Sequence, residues 1–211
     1  MRHTPHFLLH DRDEIRRLIR ENPWMTIVSS PPERGIVASH YAFLLDEAAS
    51  TEDEIVLIGH VGRPDEQAHE LGQHEVLLIV QGPHGYISPS WYPEGDIIPT
   101  WNHVTAHLYG TPELLSDDEN LQALSDLTDH FESRVVNPRG LHLDPEYSRR
   151  IARGTVGVRL RVTRVDARAK LSQNKSPEVV DSIIGELESD RSYSHAELAR
   201  EMRRHHDARD S

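Results

Sequence analysis

Residues 154–167 read GTVGVRLRVTRVDA and give the clearest strand signal in the chain. Apolar side chains recur at every second position from Val156 to Val162, and Arg159 and Arg161 stand between them. A period of two is typical of a half-buried β-strand, because successive side chains point to opposite faces of a sheet. The segment therefore predicts one continuous strand with an apolar face toward a core and a charged face toward water.

Five more segments carry strand signals, and they lie at residues 24–30, 35–45, 54–62, 74–80 and 104–115. Most of them follow one another without a helical segment between them, and the chain contains no G-x-G-x-x-G. A parallel sheet of the Rossmann type needs strands that alternate with helices. The order of segments therefore predicts an α+β fold, mainly β, with an antiparallel sheet or barrel and appended helices.

Helix start signals stand at Asp11/Glu14, Ser116/Glu119, Ser176-Pro177 and Ser194/Glu197. Three of them have the capping-box pattern, and the serine-proline pair is typical of an N-cap followed by the first helical residue. After Ser116, an apolar stripe recurs at helical spacing through Leu121, Leu124, Leu127 and Phe131. The last five residues, DARDS, are predicted to be a disordered tail.

Composition excludes several classes of protein. The chain has 211 residues, no cysteine and a formal net charge of −12. The absence of thiols excludes disulfides and cysteine-ligated metals. The negative net charge disfavours sequence-independent binding to DNA. The first 14 residues lack the apolar core of a signal peptide, and no apolar run approaches the ~18–20 residues of a membrane span. We therefore expect a cytoplasmic protein that does not contact a membrane.

The chain is rich in histidine, with 15 residues, but it lacks the H-E-x-x-H zinc motif. Histidines in or beside predicted strands are His40, His60, His84, His103 and His107. A single histidine on a strand is more often a hydrogen-bonded structural residue than a ligand. Five histidines near one predicted sheet favour a binding site there but do not define its residues. No metal site is predicted.

The region from Gln81 to Trp101 concentrates aromatic residues in a chain that has few. It holds two of the three tryptophans, together with prolines that restrict the backbone. Rigid aromatic segments lose little entropy when they are ordered. Two interpretations stay open at this point: the segment lines a pocket for a flat ligand, or it plugs the end of a barrel.

Two short segments have the donors that a phosphate group needs. GHVGRPDEQ offers His60 and Arg63 where a strand ends, and KLSQNKSP offers Lys170, Ser172 and Gln173 before a helix. Charged donors make the strongest hydrogen bonds to phosphate oxygens. A surface charge or a helix cap is the structural alternative for each segment.

Six motifs occur together and in order: NPWMTIVSS, GIVASHYAFLL, LIGHVGRPDEQ, VLLIVQGPHGYISPSWY, IPTWNHVTAHLYG and KLSQNKSP. This combination resembles the PaiB family of FMN-binding negative transcriptional regulators over residues 1–188. One departure is HVGRPDEQ, where the family usually reads H-V-A-R-A-N-P-x-W. Contacts that the family makes through that asparagine and tryptophan are therefore not carried over. Residues 189–211 are expected to be a C-terminal helix and tail outside the FMN-binding domain.

The resemblance implies an FMN-binding split β-barrel and a homodimer with FMN at the seam between its protomers. It implies a phosphate held around the second and third strands and an isoalloxazine ring along the second strand. The cofactor-binding residues expected on this basis are Ser39, His40, His60, Arg63, Gln81, Tyr86, Trp101, Lys170, Ser172 and Gln173.

Several functions stay compatible with the sequence. The resemblance implies a transcriptional regulator, yet the net charge of −12 and the missing helix-turn-helix make direct DNA contact doubtful. An indirect route through a partner or a small molecule is the alternative. A flavin-dependent oxidoreductase, a haem-binding or haem-degrading protein and a dimer without cofactor are further alternatives. No catalytic residue is predicted.

Overall fold

The computed structural model describes residues 4–92 and 98–210. Within these ranges the strands are β1 (Trp24–Ser29), β2 (Val37–Leu45), β3 (Val56–Gly62), β4 (Val76–Ile87), β5 (Thr100–Gly110), β6 (Pro112–Leu114), β7 (Thr155–Arg161) and β8 (Arg164–Lys170). The α-helices are α1 (Arg12–Glu21), α2 (Arg63–His69), α3 (Asp117–Glu132), α4 (Pro145–Ala152), α5 (Pro177–Glu188) and α6 (Ala196–Asp210).

The strands form one mostly antiparallel sheet in the order β6-β7-β3-β2-β1-β4-β5-β8. Short connections place β1, β2 and β3 side by side as antiparallel neighbours, with Thr26 opposite His40 and Phe43 opposite Gly59. The predicted α+β fold with an antiparallel sheet is confirmed. No helix in the described part of the chain is long and apolar enough to cross a membrane.

The chain divides into two compact units. Unit 1 comprises Met1–Asp11, Gln81–Ala106 and Asp166–Ser211, and unit 2 comprises Arg12–Val80 and His107–Val165.

The core of unit 2 is built from the inward faces of its strands and from α1 and α3. Alternate residues of β1 are buried, and Phe43 on β2 is fully buried beside Gly59 on β3. Helix α1 buries Leu18 and Ile19. Helix α3 begins at the predicted capping box, in which the Ser116 hydroxyl accepts a hydrogen bond from the Glu119 amide.

The core of unit 1 lies around α5 and α6. Apolar residues of both helices are fully buried, and they include Ile183, Leu187, Leu198 and Met202. The His195 amide donates to the Leu187 carbonyl at 2.7 Å and so ties the start of α6 to the end of α5.

Several sequence predictions are corrected by the structure. Residues 154–167 form two strands instead of one, because the strand structure is interrupted at residues 162–163 between β7 and β8. Strand β4 continues past the predicted end at Val80, through Gly82, Pro83 and Gly85, as far as Ile87. Helices α2 and α4 were not predicted, since each has only seven or eight residues and little apolar periodicity.

The helix ends also differ in detail. Phe131 is exposed despite its place in the predicted stripe of α3. The Ser194/Glu197 capping box is wrong, because α6 begins at Ala196 and the ring of His195 accepts the Leu198 amide at 3.2 Å. The tail predicted to be disordered is helical as far as Asp210.

Two glycines should respond to alanine in opposite directions. A Cβ atom at Gly59 would lie 2.7 Å from the backbone oxygen of Ala42, which cannot move aside, whereas nothing lies within 4 Å of one at Gly185 in α5. We expect Gly59→Ala to destabilise the protein by about 1–3 kcal/mol or more. Gly185→Ala should stabilise it by roughly 0.5–1 kcal/mol through helix propensity. Urea unfolding measures both, and a Gly59→Ala protein as stable as wild type would contradict the packing described here.

Candidate functional site

The ten predicted site residues fall into two groups, one in each unit. Ser39, His40, His60 and Arg63 belong to unit 2, and the other six belong to unit 1. Strand β2 carries the first two, strand β3 carries His60, and Arg63 is the first residue of α2.

A hydrogen-bonded network joins β1, β2 and α2 in unit 2. His69 is fully buried, with Nδ1 2.7 Å from the Ser29 hydroxyl and Nε2 3.0 Å from the Ser39 hydroxyl. The Ser39 hydroxyl donates to Asp65 Oδ1 at 2.7 Å, and the Tyr41 hydroxyl donates to Asp65 Oδ2. Ser39 therefore does not stand alone on its strand but is held by an acid and an imidazole from the same helix.

Sequence reasoning missed Tyr41, Asp65 and His69. Ser39 and Tyr41 are two residues apart on β2 and so share a face, while Asp65 and His69 are four apart on α2 and so share a helix face. Both spacings are visible in the sequence. The signal was lost because no helix was predicted at residues 63–69.

The network fixes the protonation of its members. Hydrogen bonds from Tyr41 and then from Ser39 hold the pKa of Asp65 below its ordinary value. Burial, followed by the hydrogen bond to Asp65, raises the pKa of Tyr41. Burial lowers the pKa of His69. At neutral pH the centre therefore combines a carboxylate, a phenol and a neutral imidazole.

His60 and Arg63 each have nitrogen atoms that make no hydrogen bond to a described residue. His60 Nδ1 is buried and has no hydrogen-bond partner among the described residues, and burial lowers the pKa of this ring. Arg63 donates through Nε to the Arg153 carbonyl at 2.7 Å, and its Nη2 lies 3.8 Å from the exposed Asp117 carboxylate. No other hydrogen bond to a described residue uses the Arg63 guanidinium, so its Nη groups are available to a ligand.

His40 lies on the outer face of β2. Its Nδ1 is 3.0 Å from the Thr26 hydroxyl on β1, and its ring stacks near Trp24 with centroids 6.4 Å apart. Trp24 is 66% exposed. His40 therefore belongs to an open sheet face and is not part of the Ser39 network.

In unit 1, Lys170 contacts the start of β5. Its Nζ donates to the Trp101 carbonyl at 2.9 Å and to the Thr100 hydroxyl. Burial, followed by the charges of Arg168 and Lys175, lowers the pKa of Lys170. The ammonium group is thus held at a fixed place beside the backbone of Trp101.

Ser172 and Gln173 shape the turn after β8. Ser172 is buried with a left-handed φ of 66°, and the Gln173 side chain accepts from the Leu171 amide at 2.7 Å. The amide of Asn102, itself fully buried, donates to the Ser172 hydroxyl at 2.9 Å. Asn102 was not predicted as a site residue, although it is part of the PTWN motif.

Aromatic rings cluster around Trp101, which is 56% exposed. His84 stacks near it at 6.2 Å between centroids, and Tyr86 meets it edge-on at 6.4 Å. Gln81 Nε2 lies 3.2 Å from His84 Nδ1. Residues 93–97 of the predicted aromatic wall, including Pro93, lie outside the described residues.

The network around Asp65 yields a pH-dependent prediction. A carboxylate whose pKa is depressed in the folded state stabilises the fold above its unfolded pKa of about 3.9, and this contribution is lost as the pH falls through the folded value. Tyr41→Phe removes the main cause of the depression and the acceptor of the Gly62 amide (3.1 Å). We expect a loss of about 1–3 kcal/mol at neutral pH that shrinks toward low pH, measured by urea unfolding.

The matched control is Tyr109→Phe, because the Tyr109 hydroxyl makes no hydrogen bond to a described residue. It should change stability little at any pH. Equal effects of the two substitutions, or an Asp65 titration by carboxyl NMR that Tyr41→Phe leaves unmoved, would contradict the network.

Comparison with known proteins identifies the fold and the family. Residues 1–164 match the sequence model of a family described as "Putative FMN-binding domain". The chain is 29% identical over 200 residues to the protease synthase and sporulation protein PAI 2 of Bacillus subtilis strain 168, which covers 93% of this chain and 94% of that protein. This match confirms the resemblance to PaiB found in the sequence.

Two solved structures share the fold. The FAD and heme binding protein from Mycobacterium smegmatis aligns with a TM-score of 0.56 and 18% identity, over 83% of this chain and 79% of that one. The flavocytochrome Anf3 from Azotobacter vinelandii aligns with a TM-score of 0.58 and 12% identity, over 86% and 78%. The split-barrel fold expected from the motifs is confirmed. Because the family model matches residues 1–164, the chain belongs to the FMN-binding domain family.

Proposed function

We propose that this protein binds FMN as a homodimer and acts as a PaiB-type negative regulator, through a partner or a small molecule instead of direct contact with DNA. Membership in the FMN-binding domain family supports the cofactor. The cytoplasmic location and the domain boundary at residue 188 stay predictions.

One observation in unit 2 carries the assignment of the phosphate contact. Arg63 has Nη groups without a hydrogen bond to any described residue, and His60, three residues earlier, has a buried Nδ1 that likewise has no partner among the described residues. A buried polar atom without a partner costs free energy unless a ligand or water satisfies it. The Arg63 guanidinium is a charged donor, which makes the stronger hydrogen bonds to phosphate oxygens, and the neutral His60 ring can supply an N–H. The residues present therefore fit FMN.

Unit 1 offers a second set of groups suited to a flavin. We propose that Lys170 is a further charged contact, because its ammonium is held in place by the Trp101 carbonyl. Tyr86 and Trp101 supply aromatic surface, while Gln81 supplies an amide. Ser172 and Gln173 serve the turn that carries Lys170 into position.

The indirect mode of regulation is supported by the charges of α6. This helix is the most basic segment near the C-terminus, but each of its arginines up to residue 204 is paired with a carboxylate. Arg203 lies 2.9 Å from Glu188, Arg204 lies 2.8 Å from Glu201, and Arg200 lies 3.9 Å from Glu197. Paired arginines neutralise few phosphates, and phosphate neutralisation supplies most of the affinity of non-specific DNA binding.

Haem is the second candidate ligand. His60 has a buried Nδ1, and burial lowers the pKa of its ring, so it suits the role of a neutral axial ligand. Of the two solved structures that share the fold, one is described as an FAD and heme binding protein and the other as a flavocytochrome. A Soret band that grows on titration with hemin and is abolished by His60→Ala, with FMN binding intact, would favour this candidate.

A homodimer is supported by an open sheet face in unit 2. Thr26 and Val28 of β1 lie opposite His40 and Ala38 of β2, so these four side chains share one face. Ala38 and His40 of β2 are exposed, and Trp24, two residues before Thr26 on β1, is 66% exposed. Large exposed apolar patches mark interaction sites in soluble proteins.

A charge placed on this face should separate the protomers. We expect Ala38→Arg to lower the mass measured by light scattering from twice the chain mass to that of one chain. Ala48→Arg, at an exposed position in the β2–β3 connection, should leave the dimer intact. A wild-type protein that is monomeric at micromolar concentration would contradict the proposal.

Loss of the Arg63 side chain should distinguish FMN from riboflavin, which lacks the phosphate. We expect Arg63→Ala to weaken FMN binding by about 10- to 100-fold, since a hydrogen bond to a charged group contributes about 1.5–3 kcal/mol. Riboflavin binding should change much less. Fluorescence titration measures both, with Arg161→Ala as control because Arg161 is also exposed and pairs with Glu54 at 3.5 Å. Equal losses for the two flavins would place the phosphate elsewhere.

A further inference from the structure

Residues 134–153 of unit 2 combine positive charge with exposed apolar side chains. This segment lies between α3 and β7 and includes α4. It has five arginines and two carboxylates, and therefore a net charge of +3, in a chain whose net charge is −12. We call the surface of this segment, together with the adjoining side of α3, the α4 surface.

The arginines of the α4 surface have no carboxylate partner among the described residues. Arg149, Arg150 and Arg153 line one cavity of about 300 Å³ on α4. None of their side chains makes an ion pair or a hydrogen bond within residues 4–92 and 98–210, whereas Arg159 on β7 lies 3.4 Å from Glu113. These guanidinium groups can therefore bind carboxylates from another molecule without first breaking an ion pair.

The orientation of α4 directs its arginines outward. Ser148 and Ala152 are buried and lie one turn apart on the same face of the helix. Arg150 lies on the opposite face, with its guanidinium 5.0 Å from the centre of the Tyr147 ring. The Asp144 carboxylate accepts the Tyr147 amide at 3.0 Å as the N-cap. It therefore holds the start of the helix instead of neutralising the arginines.

A groove of about 230 Å³ lies between α3 and the start of α4. Leu121, Leu141 and Pro145 supply its apolar lining, and its other lining residues are polar. Arg149 lines both this groove and the cavity on α4. Leu121 belongs to the predicted apolar stripe of α3 but is only half-buried, unlike Leu124. An apolar side chain placed in the groove would remove more of the Leu121 surface from water.

Further apolar side chains of the segment are exposed to solvent, and Val136 is 88% exposed. Five of the twelve large apolar side chains that are exposed among the described residues belong to this segment, and they are Val135, Val136, Leu143, Tyr147 and Ile151. Exposed apolar patches mark interaction sites, and arginine and tyrosine are enriched in protein interfaces. The α4 surface therefore has the composition of a surface that contacts another protein.

Charge and apolar surface together select the class of partner. A nucleic acid would bind the arginines through its phosphates but would gain little from exposed valine and leucine, and the net charge of −12 would repel it. A two-fold interface between copies of this chain would place the arginines of one patch against those of the other. A protein segment with both carboxylates and apolar side chains matches both properties.

We propose that the α4 surface docks an acidic amphipathic segment of a partner protein, whose apolar side chains enter the groove beside Leu121 and whose carboxylates bind Arg149 and Arg150. Recognition of a helix in a groove uses apolar anchors at helical spacing, and the planar guanidinium group suits carboxylates. The inference rests on the proposed function in one respect, since it supplies the partner through which regulation is indirect. None of the ten expected cofactor-binding residues belongs to the α4 surface.

The probe is a fluorescein-labelled synthetic peptide of about 15 residues, or about four helical turns, with leucine at helical spacing and glutamate elsewhere. One control peptide has serine in place of each leucine, and another has glutamine in place of each glutamate. Fluorescence anisotropy follows binding to the full chain with and without FMN. We expect each control peptide to bind at least about tenfold more weakly, because apolar burial and charge both contribute.

Two pairs of variants test the contacts. Arg150→Glu should weaken the leucine–glutamate peptide about tenfold or more, because it places like charges opposite each other. Arg34→Glu should change it little, although Arg34 is exposed in the same unit and also makes no ion pair to a described residue. Leu121→Gln should weaken the peptide about tenfold. Phe131→Gln is its control, at an exposed site roughly 15 Å further along α3. Urea unfolding checks that all four variants stay folded.

Several outcomes would overturn the proposal. They include no binding of the leucine–glutamate peptide, equal losses for Arg150→Glu and Arg34→Glu, and a serine control peptide that binds as tightly as the leucine peptide. Peptide binding that FMN abolishes would assign the surface to the cofactor. Binding of duplex DNA or of phosphatidylserine vesicles that Arg150→Glu abolishes would assign it to a nucleic acid or a membrane. A mass by light scattering that Arg150→Glu halves would assign it to a second copy of this chain.

Failure of the proposed function would look different. A chain that takes up no FMN, or that binds DNA through residues outside the α4 surface, would refute the proposed function. The peptide titrations would still judge this inference in that case. A chain that binds FMN but not the leucine–glutamate peptide would refute this inference alone.

Discussion

The candidate cofactor site in unit 2 depends on the hydrogen bonds that the Asp65 carboxylate accepts. These hydrogen bonds come from Ser39 and Tyr41 of β2, and the Tyr41 hydroxyl in turn accepts the amide of Gly62 at the end of β3. His69, one helical turn further along α2, binds Ser39 from the other side. A helix of only seven residues has little stability of its own, so these side-chain contacts hold α2 against the sheet. Arg63 and His60, which flank this junction, take their positions from it.

The fold could be predicted from the sequence to a large extent, and the reasons are local. Residues rich in β-forming side chains at 24–30 and 54–62 marked strands that the structure confirms, and the Ser116 capping box marked the start of α3. The prediction of one strand at 154–167 failed because neither glycine nor proline marks the break between β7 and β8. The apolar positions do change phase there, from even numbers as far as Leu160 and Val162 to odd numbers at Val165 and Ala167, and this shift was overlooked. Strand β4 was cut short for the opposite reason, since Gly82, Pro83 and Gly85 are typical of loops but lie within the strand.

The candidate site was less predictable because it depends on partners distant in sequence. Arg63 was identified as a phosphate donor and Ser39 through the resemblance, while Asp65 and His69 were missed although they lie within six residues of Arg63. Their role follows from contacts with residues 24 to 40 positions away, which a single sequence does not display. Asn102 was missed likewise, because its partners Ser172 and Met202 are 70 and 100 residues further along the chain.

The two units present different chemistry, with a hydrogen-bonded polar centre in unit 2 and an aromatic, cationic face in unit 1. The claim common to the whole account is that the chain binds FMN. The most direct measurement is the visible absorption spectrum of the purified protein before and after saturation with FMN and gel filtration, followed by mass spectrometry of the compound released on denaturation. The account predicts a flavin spectrum and release of FMN in a near-stoichiometric amount. A protein that emerges colourless after saturation with FMN, or that shows only a Soret band, would contradict it.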